Sequence, residues 1–308
     1  MEPEVKNLVI VLGPTAVGKS ATAILLAEEF HGEIINCDSM QVYKGFDIGT
    51  DKTPLHQRKN IPHHLLDIVD PSTQFTAADF VKHALRAIHS IRENQKLPII
   101  AGGTGLYLKA LCEGLFPEGK KDPEIRARLE RQAKNEGLAS LRESLIKIDP
   151  VHAKKIGERD KFRIIRALEV YYATQKPMSS HFANTRSFVE GFFILKIGLK
   201  LERPVLYKKI ENRVERMFEK GIVEEVHRLL ARGVKPDSPP FRALGYKQVL
   251  KHLNGSISLE EAVDLTKKET RHYAKRQMTW FRKMEGVRWF AADDFPSISD
   301  YVRRHLRG

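Results

Sequence analysis

The chain has 308 residues, 42% of them hydrophobic, and 52 Lys and Arg against 39 Asp and Glu give it a formal net charge of +13. That length and apolar content support one large domain or two modest ones with a real core, and they exclude an intrinsically disordered chain. Two cysteines, Cys37 and Cys112, exclude a disulfide framework and a Cys-based zinc site. They fit a reducing compartment, and the charge points to a polyanionic partner such as nucleic acid, with simple basic solubility as the alternative.

The first element in chain order is a strand over Asn7 to Leu12, apolar without alternation, as in a parallel sheet covered on both faces. This early apolar run is too short to span a membrane and lacks a signal-peptide layout, so the chain reads as soluble and cytoplasmic; a monomer is the separate expectation for its assembly. A glycine-rich loop follows, then a helix over Lys19 to Phe30 that stops at Gly32. Residues 33–38, "EIINCD", read as a second strand, and His64 to Val69 as a third. Thr76 to Gln95 reads as a helix with Thr76 as N-cap and Asp79 in its first turn. "LPIIAGGTG", residues 97–105, is a strand entering a second glycine turn, and a helix follows through Leu111. Strand, loop and helix in this order predict an α/β fold, a P-loop-type parallel sheet with helices on both faces.

The pattern changes near Glu118. Asp122 to Ser187 is helical and rich in Arg and Lys, so residues 119–187 read as an all-helical insertion between core segments 1–118 and 188–308. "GFFILKIGL", residues 191–199, returns to the sheet, and Pro204 opens a helix that stops at Gly221. The remainder reads as helical, ending in a basic helix over Thr270 to Lys283.

The loop "GPTAVGKS" comprises Gly13, Pro14, Thr15, Ala16, Val17, Gly18, Lys19 and Ser20, and it meets the spacing G-x-x-x-x-G-K-[ST] between a strand and a helix. Glycines let backbone N–H groups turn toward phosphate oxygens, Lys19 adds positive charge, Ser20 offers a hydroxyl to Mg²⁺, and the helix N-terminus adds its dipole. The motif establishes phosphate binding and leaves the reaction open. Asp38 closes the second strand and, in an open sheet, shares a crevice with the loop. It could hold Mg²⁺, act as a general base, or cap the following turn. Gln41 can present both donor and acceptor, as adenine recognition requires, and Thr104 stands at another strand end of the same crevice. Lys209, Arg213, Arg216 and Lys220 share one helical face, with glutamates interleaved, so a solvated face is the alternative there. His63 and His64 resemble a metal pair, but neighbours on a strand point oppositely, and both read as structural.

"GPTAVGKS", "DSMQVYKGFDIGT", "PHHLLD", "GGTGLYLKAL", "DKFRIIRALEV" and "AKRQMTWFR" occur in order from residue 9 to beyond 280. Together they closely resemble the tRNA dimethylallyltransferase family, the bacterial tRNA isopentenyltransferases. The resemblance implies transfer of a dimethylallyl group from dimethylallyl diphosphate to N6 of adenosine 37, in the anticodon stem-loop of tRNA, with release of diphosphate. It implies that the loop and Mg²⁺, held by Ser20, stabilise the leaving diphosphate, and that Asp38 accepts the N6 proton. It places Thr104 and Arg213 near the reacting groups and Ser39, Met40 and Gln41 on the target base. Arg126, Arg163 and Arg166 of the insertion are the expected tRNA contacts, each with a plain surface charge as its alternative. The zinc finger of eukaryotic members is excluded by the two cysteines. Three rivals remain: a P-loop kinase, which explains the basic insertion less well; an enzyme prenylating free AMP or ADP, which needs no such insertion; and an RNA-binding protein with a relic loop.

Overall fold

The computed structural model describes residues 6–115, 122–183 and 185–306. The chain divides into two compact units, Met1–Lys109 with Gly191–Gly308, and Ala110–Glu190. The expected boundary between residues 118 and 119 lies outside the described residues.

The first unit begins with β1 (Lys6–Leu12), α1 (Lys19–Glu29), β2 (Gly32–Cys37), β3 (His63–His64), α2 (Ala77–Glu93) and β4 (Leu97–Gly102). Helix α3 (Gly105–Glu113) carries the chain toward the second unit, which contains α4 (Pro123–Asn135), α5 (Leu138–Ile148), α6 (Pro150–Ala153), α7 (Lys161–Thr174) and α8 (Met178–Ala183). The chain returns through β5 (Phe192–Lys200), α9 (Arg203–Glu219), α10 (Ile222–Ala231), α11 (Tyr246–Leu253), α12 (Leu259–Phe281), β6 (Val287–Ala291) and α13 (Phe295–His305).

Six strands form one parallel sheet in the order β3-β2-β4-β1-β5-β6. Val9, Ile10, Val11 and Leu12 are fully buried because β1 sits in the middle with neighbours on both edges. Its aliphatic side chains join those of α1, β4 and β5 in the main core. Register then positions the site. Leu12 and Cys37 both stand opposite Gly102, so β1, β2 and β4 end at one level. The loop after β1, the residue after β2 and the turn after β4 therefore meet at one end of the sheet, the crevice that open α/β sheets use for ligands.

Helix α2 starts as its sequence requires: the Asp79 N–H donates to Thr76 Oγ1 at 3.2 Å, and the Thr76 N–H donates back to Asp79 Oδ2 at 2.9 Å. Helix α9 gives way after Lys220 to Gly221 at φ +87°, a left-handed position that favours glycine. Two expectations need correction. The third strand is only His63–His64 rather than His64 to Val69; Val69 makes a single parallel bridge to Tyr43. The segment after α12 is not wholly helical, since β6 adds a sixth strand beside β5. Its burial alternates only loosely, as on a sheet edge, which gave periodicity little to show.

The second unit has its own aliphatic core, formed by Leu129, Leu141, Leu145, Ile164, Ile165 and Leu168 with their neighbours.

Candidate active site

The loop after β1 folds around its own lysine. The Lys19 ammonium donates to the Pro14 carbonyl at 2.7 Å. Gly13 has φ +149°, and a Cβ there would stand 2.7 Å from the Leu199 carbonyl oxygen, so only glycine fits. Gly18, at φ +109°, is the N-cap of α1, and Ser20 follows it, exposed, in the first turn. Val17 is fully buried and anchors the loop to the core.

Asp38 is held by the turn it starts. Its Oδ1 accepts from the N–H groups of Met40 at 2.8 Å and Gln41 at 3.4 Å. Among the described residues Oδ2 has no hydrogen-bond partner. Thr104 supports the same turn from β4: its hydroxyl accepts from the Ser39 N–H at 3.1 Å, and its own N–H donates to the Cys37 carbonyl at 3.2 Å. Gln41 donates through Nε2 to the Thr50 carbonyl at 3.0 Å.

Helices α9 and α12 close the crevice from the far end of the sequence. Arg213 on α9 donates to Thr15 Oγ1 at 2.6 Å and to the Thr50 carbonyl at 3.4 Å, and it pairs with Asp51 at 3.3 Å. Gln277 on α12 is buried and spans both glycine turns. It accepts from the Thr15 N–H at 2.8 Å and donates to the Gly103 carbonyl at 2.9 Å. Sequence reasoning missed Gln277; its signature segment "AKRQMTWFR" was visible, but nothing local told which face of the helix would turn inward.

These groups surround a cavity of about 420 Å³, whose lining includes Lys19, Ser20, Asp38, Gln41, Arg213 and Gln277. Lys209 and Arg216 line it too, and among the described residues neither has a carboxylate within ion-pair distance. The basic face of α9 thus looks into the crevice. A second cavity, of about 320 Å³, is lined by Ser39, Met40, Arg242 and Lys247 together with Thr15, Asp38, Thr50, Arg213 and Tyr273, and those last five belong to both cavities. Thr104 lines neither; its hydroxyl is engaged with Ser39.

Electrostatics follow from this enclosure. Burial brings the Lys19 ammonium down to about 8; the Asp38 carboxylate opposes that shift and the Arg213 guanidinium adds to it.

The loop carrying Thr50 is itself mounted on two knots, one buried around Glu225 and one where Lys52 meets two exposed carboxylates. Glu225 on α10, 4% exposed, accepts from the N–H groups of Asp47 at 3.2 Å and Ile48 at 2.9 Å. It also accepts from the Tyr246 hydroxyl, which in turn accepts from the Gly49 N–H at 3.1 Å. Lys52 ties the other end, donating to the Tyr43 carbonyl at 2.6 Å, Asp47 Oδ1 at 2.7 Å and Asp67 Oδ1 at 2.5 Å. The segments "FDIGT" and "PHHLLD" thereby act as one support. His63 Nδ1 lies 2.8 Å from the Ile61 carbonyl and His64 Nε2 lies 2.7 Å from Glu33 Oε2, so the two rings serve separate structural contacts. Among the described residues no group of three or more His, Cys, Asp or Glu could hold a metal ion.

The expected tRNA-contacting arginines lie within the second unit. Arg126 and Arg166 both approach Glu169 Oε2, at 3.5 Å and 3.1 Å, and Glu169 is buried. Arg126 also pairs with Glu130 at 3.0 Å and lies over the Phe162 ring. Arg163 is exposed and pairs with Asp160 at 3.4 Å.

A family model described as IPP transferase matches residues 41–284. A tRNA dimethylallyltransferase of Geobacter metallireducens is 49% identical over all of this chain and 98% of its own, and one of Geobacter sulfurreducens is 48% identical over 96% and 94%. The crystal structure of a tRNA isopentenylpyrophosphate transferase from Bacillus halodurans superposes with a TM-score of 0.73 at 39% identity, covering 97% and 96% of the two chains. A eukaryotic dimethylallyltransferase acting on tRNA superposes with a TM-score of 0.82 at 31% identity, over 97% of this chain and 77% of that one. Family model, sequence relatives and solved structures agree: the chain belongs to the IPP transferase family, alongside proteins named tRNA dimethylallyltransferase.

Proposed function

We propose that the protein transfers a dimethylallyl group from dimethylallyl diphosphate to N6 of adenosine 37 in tRNA and releases diphosphate. The observation that carries this reading is the position of Asp38, on the wall common to a phosphate-loop cavity and a second cavity, with Oδ2 uncommitted among the described residues. A carboxylate there can serve a donor held on one side and a base entering from the other.

The allylic carbon–oxygen bond breaks with its electron pair going to the diphosphate, and the N6 lone pair forms the new carbon–nitrogen bond. The N6 proton, made acidic as that bond forms, passes to Asp38 Oδ2. Negative charge grows on the leaving oxygen, and Lys19 and Arg213, both on the wall of the donor cavity, stabilise it. Such preorganised donors stabilise a transition state by about 3–4 kcal/mol each when measured by deletion. Ser39 and Met40, which line the second cavity, contact the base; Gln41, expected beside them, instead lines the donor cavity with its amide on the Thr50 carbonyl, and Thr104 holds their turn. The target base must leave the anticodon stack to reach Asp38. Exposed cations of the helical unit, Arg163 among them, meet the phosphates of the stem.

The residues fit Mg²⁺. The Ser20 hydroxyl and the Asp38 and Asp51 carboxylates line the donor cavity, and Mg²⁺ takes few protein oxygens together with substrate phosphates. When bound, it would neutralise charge developing on the diphosphate.

The test is transfer of label from dimethylallyl diphosphate with Mg²⁺ to unmodified tRNA, with ATP and AMP in parallel tubes. Label in tRNA that disappears when adenosine 37 is replaced by guanosine is the expected result. Label in AMP alone, or ATP consumption without transfer, overturns the reading.

A further inference from the structure

Five residues line both cavities, and four of them are polar or charged: Thr15, Asp38, Thr50 and Arg213. The fifth is Tyr273 on α12, the one aromatic among the described lining residues of either cavity. Its hydroxyl has no hydrogen-bond partner among the described residues. On the reading above, the five-carbon allyl group must cross this junction, leaving a diphosphate on one side and joining a nitrogen on the other. At the junction Tyr273 alone offers a broad carbon face.

We propose that Tyr273 is a catalytic residue whose ring contacts the dimethylallyl group and stabilises the positive charge that develops on it. This rests on the proposed prenyl transfer. As the carbon–oxygen bond breaks, its electrons leave with the diphosphate and the three allylic carbons share the deficit until the N6 lone pair fills it. An aromatic face attracts such a charge without forming a bond to it, whereas water or a phenolate would capture it. Burial and the neighbouring Asp38 carboxylate both push the Tyr273 hydroxyl up, so the ring stays a neutral phenol. The Arg276 guanidinium lies over the ring at 5.8 Å from its centroid, near the outer limit for such contacts.

A desolvated cation–ring contact of about 2 kcal/mol corresponds to roughly thirtyfold in rate. Tyr273→Leu is therefore expected to lower kcat for transfer to tRNA about thirtyfold while the KM for the donor changes less than about threefold. Tyr273→Phe, which keeps the ring, should recover most of that loss. Replacing residue 273 with phenylalanines carrying one, two and three fluorines preserves shape and drains the π face, so kcat should fall stepwise along the series. A flat fluorine series, or a Phe variant as slow as the Leu variant, overturns the proposal. A purely structural role would lower thermal stability without following the fluorine count. Wild-type protein is assayed beside every variant: no transfer by the wild type sinks the prenyl-transfer reading itself, whereas normal wild-type transfer with an indifferent Tyr273 sinks only this inference.

Discussion

Arginine meets opposite surroundings in the two compact units. In the first, Arg213 reaches a hydroxyl, a carbonyl and the exposed Asp51, while Arg216 and Lys209 line the crevice with no carboxylate partner among the described residues. In the second, Arg126 and Arg166 converge on the buried Glu169. A buried carboxylate needs such partners, because an uncompensated one is costly. The formal charge of +13 is thus not spread as usable positive potential. Part of it faces the cavity beside the glycine-rich loop, and part neutralises acid within a helical core.

If that contrast is right, charge in the crevice governs the reaction and charge at Glu169 governs folding. The largest effect tests the one carboxylate common to both cavities. Asp38→Ala should lower kcat by about 10³-fold, within the range of general-base deletions, and leave tRNA affinity near wild type. Retained turnover would remove Asp38 from the chemistry. Lys19→Ala comes next, with a loss of about 10²-fold in kcat/KM for the donor and little change in the KM for tRNA. An unchanged donor constant would end the role assigned to the loop.

Lys19 also sets a pH signature. The free protein holds this amine charged below about 8 and neutral above it. Loss of the charge weakens an anionic donor, so kcat/KM for the donor should fall about tenfold per pH unit on the alkaline side. Lys19→Arg should abolish that limb, since arginine stays charged. A limb that persists in the variant belongs to another group.

On the other side of the contrast, Arg166→Ala leaves Glu169 with Arg126 as its partner and should cost on the order of 2 kcal/mol of unfolding free energy. Donor kinetics should be untouched. Urea midpoints read the first quantity and steady-state assays the second; a stable variant with a large defect in tRNA use would reverse the roles of fold and ligand at this site.

The same contrast explains what the sequence disclosed. β1, the phosphate loop, Asp38 and the glycine turn after β4 are local patterns, and the register of β1, β2 and β4 brings together what those patterns describe singly. The opposite wall is built by Arg213, Tyr273 and Gln277 from helices that follow some hundred residues later in the chain. Helical spacing put Lys209, Arg213 and Arg216 on one face but could not say whether that face met water or the crevice. Glu225 carries no local mark in the sequence, and it is buried under the loop at Asp47 to Gly49. Such contacts depend on packing between distant elements, and no periodicity encodes them. Strand β6 escaped for a related reason: an edge strand buries too little of itself to write a clear pattern.

Arg163 gives the smallest and most discriminating effect. It lies on the same helix as Arg166 but is exposed, and its partner Asp160 sits three residues before it at 3.4 Å. An exposed pair of that kind adds little to stability, about 0.5 kcal/mol at most. Arg163→Ala should therefore leave the urea midpoint almost unmoved. If this cation meets a stem phosphate, the KM for tRNA should rise a few-fold at low salt, and the slope of log affinity against log salt should shrink by about one ion. The double variant with Arg166→Ala should then add the two losses in separate assays, stability from one residue and salt-dependent affinity from the other. An Arg163 variant with an unaltered salt slope would make it a plain surface charge, and cations that meet tRNA would have to be sought on another face of the helical unit, such as that of the exposed Arg128.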